Sequence, residues 1–220
     1  MNSRKRCVVL AAALLCWFLA AGFFTPGGRA ALATTNPKEE RKASIDRVLD
    51  VLRDPSLKGD EHRKARRRKM SEIIQARFDF AEMGKRSLAR QWRKMSPAEK
   101  KEFVGIFGNL LQDSYLTKIE RFTDEKIVYP TERMEDQYAE VKTRIVQKSG
   151  RGVGIDYRLH RTPEGWRVYD IVIEGVSLVA NYRKQFKRLI RKTSYKELIA
   201  RMKVKNEEVR GGSHEKKKAL

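Results

Sequence analysis

Cysteine is almost absent from this sequence, and its position tells more than its scarcity. There are two, Cys7 and Cys16, both within the first 33 residues. From residue 34 onward no disulfide can staple the fold, and no thiolate can bind a metal or attack a substrate. Histidine is nearly as scarce: His62, His160 and His214 stand far apart, and no two share metal-ligand spacing. No Ser/His/Asp arrangement can be read from the spacing. Gly150, Gly152 and Gly154 fall between two strand-like runs, so they suit a hairpin turn better than a phosphate-cradling loop. Together these absences leave no expected catalytic residue, metal or cofactor. Acidic residues are also in deficit, 28 Asp and Glu against 49 Lys and Arg, for a formal charge of +21. So basic a surface is drawn to phosphates, lipid headgroups or acidic proteins.

What is present begins with an address. Arg4, Lys5 and Arg6 precede an unbroken run of apolar or small residues from Cys7 to Phe24, and Gly27-Gly28-Arg29 ends it. Ala31-Leu32-Ala33 supplies the small-x-small pattern that signal peptidase reads, so residues 1–33 are expected to be a secretory signal cleaved after Ala33. An uncleaved anchor is the alternative, because about 18 apolar residues is the lower edge of a membrane-spanning helix. Lipidation at Cys16 is disfavoured by Leu14-Leu15 before it. Export argues against nucleic acid as its partner. Cleavage removes four basic residues, Arg4, Lys5, Arg6 and Arg29, and lowers the charge to +17. What remains is thiol-free and long enough for one sizeable domain. It spans residues 34–204, followed by a charged, loose tail from 205 to 220.

Within that domain Ile45, Val48, Leu49 and Leu52 recur at helical spacing after Pro37. Residues 60–75 follow as a helix dominated by Arg63, Lys64 and the Arg66-Arg67-Arg68-Lys69 run, and residues 79–92 as a shorter one. The basic run suits either a solvated face or contact with an anionic partner. Ser96-Pro97-Ala98-Glu99 is a strong helix start, with a capping serine, proline at the first helical position and a glutamate placed for a capping box. The helix it opens carries a broad stripe through Phe103, Ile106, Phe107, Leu110, Leu111, Tyr115 and Ile119.

After Asp124 the period changes to two. Residues 126–129, 137–147, 152–160 and 166–174 read as four strands joined by turns, an antiparallel meander with one apolar and one polar face. Ala139, Val141, Thr143 and Ile145 share a face in the second strand, and Val153, Ile155, Tyr157 and Leu159 in the third. Helical spacing returns through Leu178, Tyr182, Phe186, Leu189 and Ile190, then Leu198, Ile199 and Met202. The expected class is α+β, an antiparallel sheet with helices before and after it. Strand carboxylates such as Asp156, Asp170 and Glu174 could be imagined to supply an acid/base pair, and isolated strand carboxylates are more simply salt-bridged or exposed. The apolar stripes alone suit an ordinary packed core as well as a ligand cavity.

The segment from Trp166 to Val179, WRVYDIVIEGVSLV, continuing into Asn181-Tyr182-Arg183 and Gln185-Phe186, closely resembles the signature of the MlaC/toluene-tolerance family of periplasmic lipid carriers. Phe78-Asp79-Phe80-Ala81-Glu82-Met83, Trp92-Arg93 and the long helix resemble it as well. The likeness runs from about Ile45 to Met202. It implies an NTF2-like curved sheet of about four strands, with helices enclosing a deep apolar cavity for the acyl tails of a phospholipid cargo. It further implies a shuttle between an inner-membrane ABC transporter complex with an MCE ring and an outer-membrane lipoprotein complex. Carried over residue by residue, the tail-facing wall falls on Phe103, Phe107, Leu110, Leu111 and Tyr115 of the long helix. On the sheet it falls on Val153, Ile155 and Tyr157, and in the signature on Val168, Ile171, Ile173, Val176 and Tyr182. If the fourth strand alternates strictly, Val168 and Ile171 face opposite ways. A hopanoid or other lipid cargo is the alternative within the family. Outside it stand a non-catalytic basic binding module at the envelope and a small enzyme, which would need a polar pair inside the cavity.

Overall fold

A computed structural model of the chain describes residues 36–120, 126–146 and 152–215. The expected signal peptide and its cleavage point lie outside the described residues. The fold below belongs to the unit Thr35–Leu220.

Among the described residues the first α-helices are α1 (Pro37–Arg53), α2 (Arg63–Arg77) and α3 (Phe80–Leu88). Asn36 caps α1, its side chain accepting from the Lys38 and Glu39 amides, and Pro37 takes the position where no amide is needed. The basic run of α2 is more than a solvated face. Arg63, Arg66 and Arg67 converge on Glu120, with Arg67 2.7 Å from its carboxylate, and Arg66 also donates to the carbonyls of Leu57 and Gly59. Arg68 stays exposed.

Helix α4 (Pro97–Ile119) starts where the sequence signals it, with both hydrogen bonds of the capping box formed between Ser96 and Glu99. Strands β1 (Lys126–Glu135), β2 (Tyr138–Val146), β3 (Gly152–Thr162), β4 (Gly165–Ile173) and the short β5 (Val176–Ser177) then pair in sequence order, all antiparallel. Among the described residues the sheet thus has five strands where about four were expected, because two residues between β4 and the next helix still reach ladder partners at Val172 and Ile173. Strand β1 also runs past Pro130, where the sequence reading stopped it. A register shift between Val128 and Thr131 sets the proline, which has no amide hydrogen, into a bulge.

A second bulge decides which residues of β4 face inward. Leu159 pairs with Val168 but Arg158 pairs with Asp170, so Tyr169 is an extra residue. Strict alternation would send Val168 and Ile171 to opposite faces, and the extra residue resets the phase so that both face inward. Val168 then joins Leu159, and Ile171 joins Tyr157, across the ladder.

Helix α5 (Leu178–Lys192) is anchored to the sheet by Asp170. One carboxylate oxygen accepts from the Val179 amide at 3.0 Å, and the other from the Ser177 hydroxyl at 2.6 Å and from Arg158 at 3.3 Å. Ser177 in turn caps the helix through the Ala180 amide. Helix α6 (Tyr195–Glu215) corrects the sequence reading of a loose tail from residue 205. Met202 and Asn206 are buried and Val209 packs on the same core, an i, i+4, i+7 pattern hidden among charges. The Asn206 side-chain amide donates to the Ile106 carbonyl of α4, and Lys203 pairs with Glu102.

Two cores result. One lies among α3, α4, α5 and α6, around Met83, Phe103, Phe107, Phe186, Leu198 and Met202. The other is a smaller layer on the inner face of the sheet, formed by Ala139, Val141, Leu159, Trp166 and Val168.

Candidate functional site: an apolar cavity beside the packed cores

Next to these cores the structure leaves a cavity of about 390 Å³, within the range of small-molecule sites. Its floor is the inner face of the sheet, from Tyr157 and Ile171 through Ile155 and Ile173 to Val153, Ile145 and Ile127. Helix α1 covers it with Ile45, Val48 and Leu49, α2 adds Ile73 and Ile74, and the end of α4 adds Leu111, Tyr115 and Ile119. Phe78, Phe80 and Met83 close the side nearest α3. The walls are almost wholly hydrocarbon.

Of the residues that the family resemblance points to, Leu111, Tyr115, Val153, Ile155, Tyr157, Ile171 and Ile173 line this cavity. The structure places the other six elsewhere. Phe103 and Phe107 are fully buried in the helical core, stacked on each other at 5.4 Å between ring centres and meeting Phe186 edge-on. Leu110 belongs to the same core, and Tyr182 packs on it with its ring 5.1 Å from that of Phe107. Val168 sits in the filled layer of the sheet with Leu159 and Trp166. Val176, on β5, is 61% exposed.

The split along α4 has a geometric cause. At 3.6 residues per turn, each four-residue step overshoots a full turn by about 40°, so a stripe from Phe103 to Ile119 rotates by roughly 160°. Its first part faces α5 and α6, and its last part faces the sheet and α1. The sequence reading also passed over the cover helices. Ile45, Val48 and Leu49 were visible as one amphipathic face, and nothing local says that the face meets space rather than side chains.

The few polar groups in the wall differ in how well they are paired. Thr143 donates to the Ile155 carbonyl at 2.7 Å, and Ser44 to the Glu40 carbonyl at 2.7 Å. Arg77 meets the Glu40 carboxylate at 2.8 Å. Lys118 lies over the Tyr115 ring at 5.0 Å, and burial raises the Tyr115 phenol. Arg41 is the exception. Its side chain is buried, with 3% of the residue exposed, and its guanidinium lies 5.3 Å from the Tyr157 ring centre and 5.8 Å from that of Phe78. Its Nε has no hydrogen-bond partner among the described residues. Burial lowers its pKa to about 10, against a smaller opposing influence of Tyr157. The desolvation penalty of a buried ion is several kcal/mol, whereas a cation–π contact returns about 0.5 to 2 kcal/mol. Gln112 is the second under-satisfied group, with a buried Oε1 that lacks a partner.

The strand carboxylates stand apart from the cavity wall. Asp170 is committed to α5 and Arg158, and Glu174 accepts from the Gly154 amide. Among the described residues no cluster of His, Cys, Asp and Glu could hold a metal, and no helix is long and apolar enough to cross a membrane.

Comparison with known proteins agrees with this architecture. The intermembrane phospholipid transport system binding protein MlaC of Haemophilus influenzae is 21% identical over 179 residues, covering 79% of this chain and 84% of its own length. A phospholipid-binding protein from Ralstonia solanacearum, solved in complex with a phospholipid, superposes with a TM-score of 0.71 at 25% identity, over 80% of this chain and 99% of its own. The family profile described as MlaC protein matches residues 42–204, from α1 into α6. With its meander, the β4-to-α5 junction and nearly all of its cover helices inside that match, this chain belongs to the MlaC family.

Proposed function

We propose that this protein binds phospholipid and carries it across the periplasm, between an inner-membrane ABC transporter complex with an MCE ring and an outer-membrane lipoprotein complex. The observation that carries the reading is the hydrocarbon-lined cavity of about 390 Å³ between the sheet and α1, α2 and α4, in a chain of the MlaC family. The Ralstonia protein of the same fold was solved with a phospholipid bound, which supports the choice of cargo. The role is one of binding and transport rather than catalysis. The carboxylates that sequence alone offers as an acid/base pair lie off the wall, and Asp170 is committed to α5 and Arg158.

The energetics favour a carrier that releases its cargo only on docking. At about 0.8 kcal/mol per buried methylene, two tails of roughly 30 methylenes carry about 24 kcal/mol of water avoidance. That exceeds the practical ceiling of about 18 to 21 kcal/mol for non-covalent affinity, so it cannot appear in full as binding. The relevant exchange is cavity for bilayer, in which the apolar contributions nearly cancel. A partner that deforms the cover helices can then tip the balance.

Native mass spectrometry of protein purified from its own envelope, followed by lipid extraction, tests the reading. A bound species with the mass of a phospholipid is expected. Protein that arrives empty, or carries a cargo with no acyl chains, would overturn it.

A further inference from the structure

We propose that Arg41 is an anion-binding subsite inside the cavity, and that its guanidinium receives the phosphate or carboxylate of a bound amphiphile. The proposal rests on the lipid-carrier reading and adds to it an orientation and a chemical preference. Along α1, Arg41 is followed one turn later by Ile45 and two turns later by Val48 and Leu49, all on the cavity wall. The helix therefore presents one cation and then hydrocarbon, the profile of an anionic amphiphile in mirror image.

The cation lies where the filled layer of the sheet gives way to open space. Tyr157, which it overlies, pairs with Val141 of the filled layer on one side and Ile171 of the cavity floor on the other. Among the described residues no carboxylate pairs with it. Glu40, the carboxylate that acts on it, is bound to Arg77, and elsewhere on α1 Glu132 accepts from the Lys38 amide and Asp46 pairs with Lys42. Arg77 is a second cation nearby, and Tyr129 and Tyr157 are phenols whose ionisation burial opposes. Aromatic faces favour a cation but accept its N–H groups only weakly. A guanidinium has five donors in a planar fork that matches phosphate and carboxylate oxygens. Gln112, across the same cavity on α4, offers a buried acceptor to a hydroxyl or amide of the same ligand. A purely structural arginine would be paired with one of these carboxylates, and this one is not.

The test uses the purified, delipidated chain and the variants Arg41→Gln, Arg41→Met and Arg41→Lys. The probes are oleate, dioleoyl phosphatidate, their uncharged counterparts oleyl alcohol and diolein, and inorganic phosphate alone. Arg41→Gln and Arg41→Met should weaken oleate or phosphatidate by roughly 10- to 100-fold and the uncharged probes by less than about threefold, the difference expected when one charge-assisted partner is lost. Arg41→Lys should keep most of the preference for the anion. Loss with only one of the two anions names the group that the site takes. The lipid-free Arg41→Met protein should melt at a higher temperature than the parent, because an uncompensated buried charge is gone. Equal losses for charged and uncharged probes, or a lower melting temperature in Arg41→Met, would overturn the subsite and leave a structural arginine. Saturable binding of inorganic phosphate with no preference for anionic over uncharged amphiphiles would also overturn it. If the parent binds none of the amphiphiles, the carrier reading itself fails, an outcome distinct from the loss of discrimination.

Discussion

Helix α4 carries bulky apolar residues at both ends, yet the two ends border different worlds. Phe103 and Phe107 are enclosed by Phe186 and Tyr182 of α5 and by the residues of α6, ring against ring. Tyr115 and Ile119, three and four turns further on, face Val48, Ile73 and Val153 across open space. The side chains of α4 do not make this difference. What lies opposite them does: Phe186 and Tyr182 meet the α4 rings directly in one case, and the side chains of α1, α2 and the sheet stop short and leave the cavity in the other. Packing and cavity are therefore adjacent outcomes of the same amphipathic pattern.

Substitutions on the two sides should separate accordingly. The largest effect is expected from Phe107→Ala, which opens a void in the packed half and should cost about 3 to 5 kcal/mol in chemical denaturation. The folded fraction should retain its lipid, and a loss of lipid without loss of stability would break the comparison. Asp170→Ala should cost about 1 to 3 kcal/mol, because the Val179 amide, the Ser177 hydroxyl and Arg158 lose their common acceptor. Its hydrogen-exchange signature should be faster exchange confined to the first turn of α5. On the cavity side, Glu120→Gln should cost about 1 to 2 kcal/mol near neutral pH by loosening α2 from α4.

The Glu120 carboxyl is raised by burial, but the hydrogen bonds and charges of Arg67, Arg63 and Arg66 outweigh that and hold it below its ordinary value of 4.5. A carboxylate lowered in the folded state stabilises above that ordinary value and loses its contribution as pH falls through the lowered one. The gap between parent and Glu120→Gln should therefore be full at pH 7 and close as the solution is acidified below about 4.5. Urea midpoints across that range check it. The smallest stability effect, and the most diagnostic one, belongs to Ile155→Trp. Filling the cavity should leave stability unchanged or raise it by about 0.5 to 2 kcal/mol while displacing co-purified lipid. Undiminished lipid in that variant would mean that the cargo lies elsewhere.

Much of the architecture is legible in the sequence because it is written locally. The Ser96 to Glu99 box announces α4, and alternation in residues 139–145 and 153–159 announces the strands and their inward faces. What escaped depends on partners far along the chain. Asn206 looks like tail until the Ile106 carbonyl stands opposite it, and β5 looks like the start of a helix until Val172 and Ile173 offer it a ladder. The site was half legible for the same reason. Apolar side chains on the right elements could be named, but whether Leu111 borders the cavity and Leu110 only the helical core depends on a rotation of α4 relative to helices that the sequence does not position. Arg41, a single cation in a basic chain, carries no local mark at all.

The bulge at Tyr169 means that β4 holds one residue more than the interior requires. That surplus residue stands outside the inward rhythm and meets Arg86 at 4.1 Å, with Tyr138 and His160 edge-on to its ring. A chain shortened by Tyr169 alone would still send Val168 and Ile171 inward, now by plain alternation. The interior would be threaded by the same residues, and only the external aromatic cluster would disappear. Length in this strand is thus set by the outer surface, leaving the cavity floor indifferent to a change that would scramble an ordinary strand.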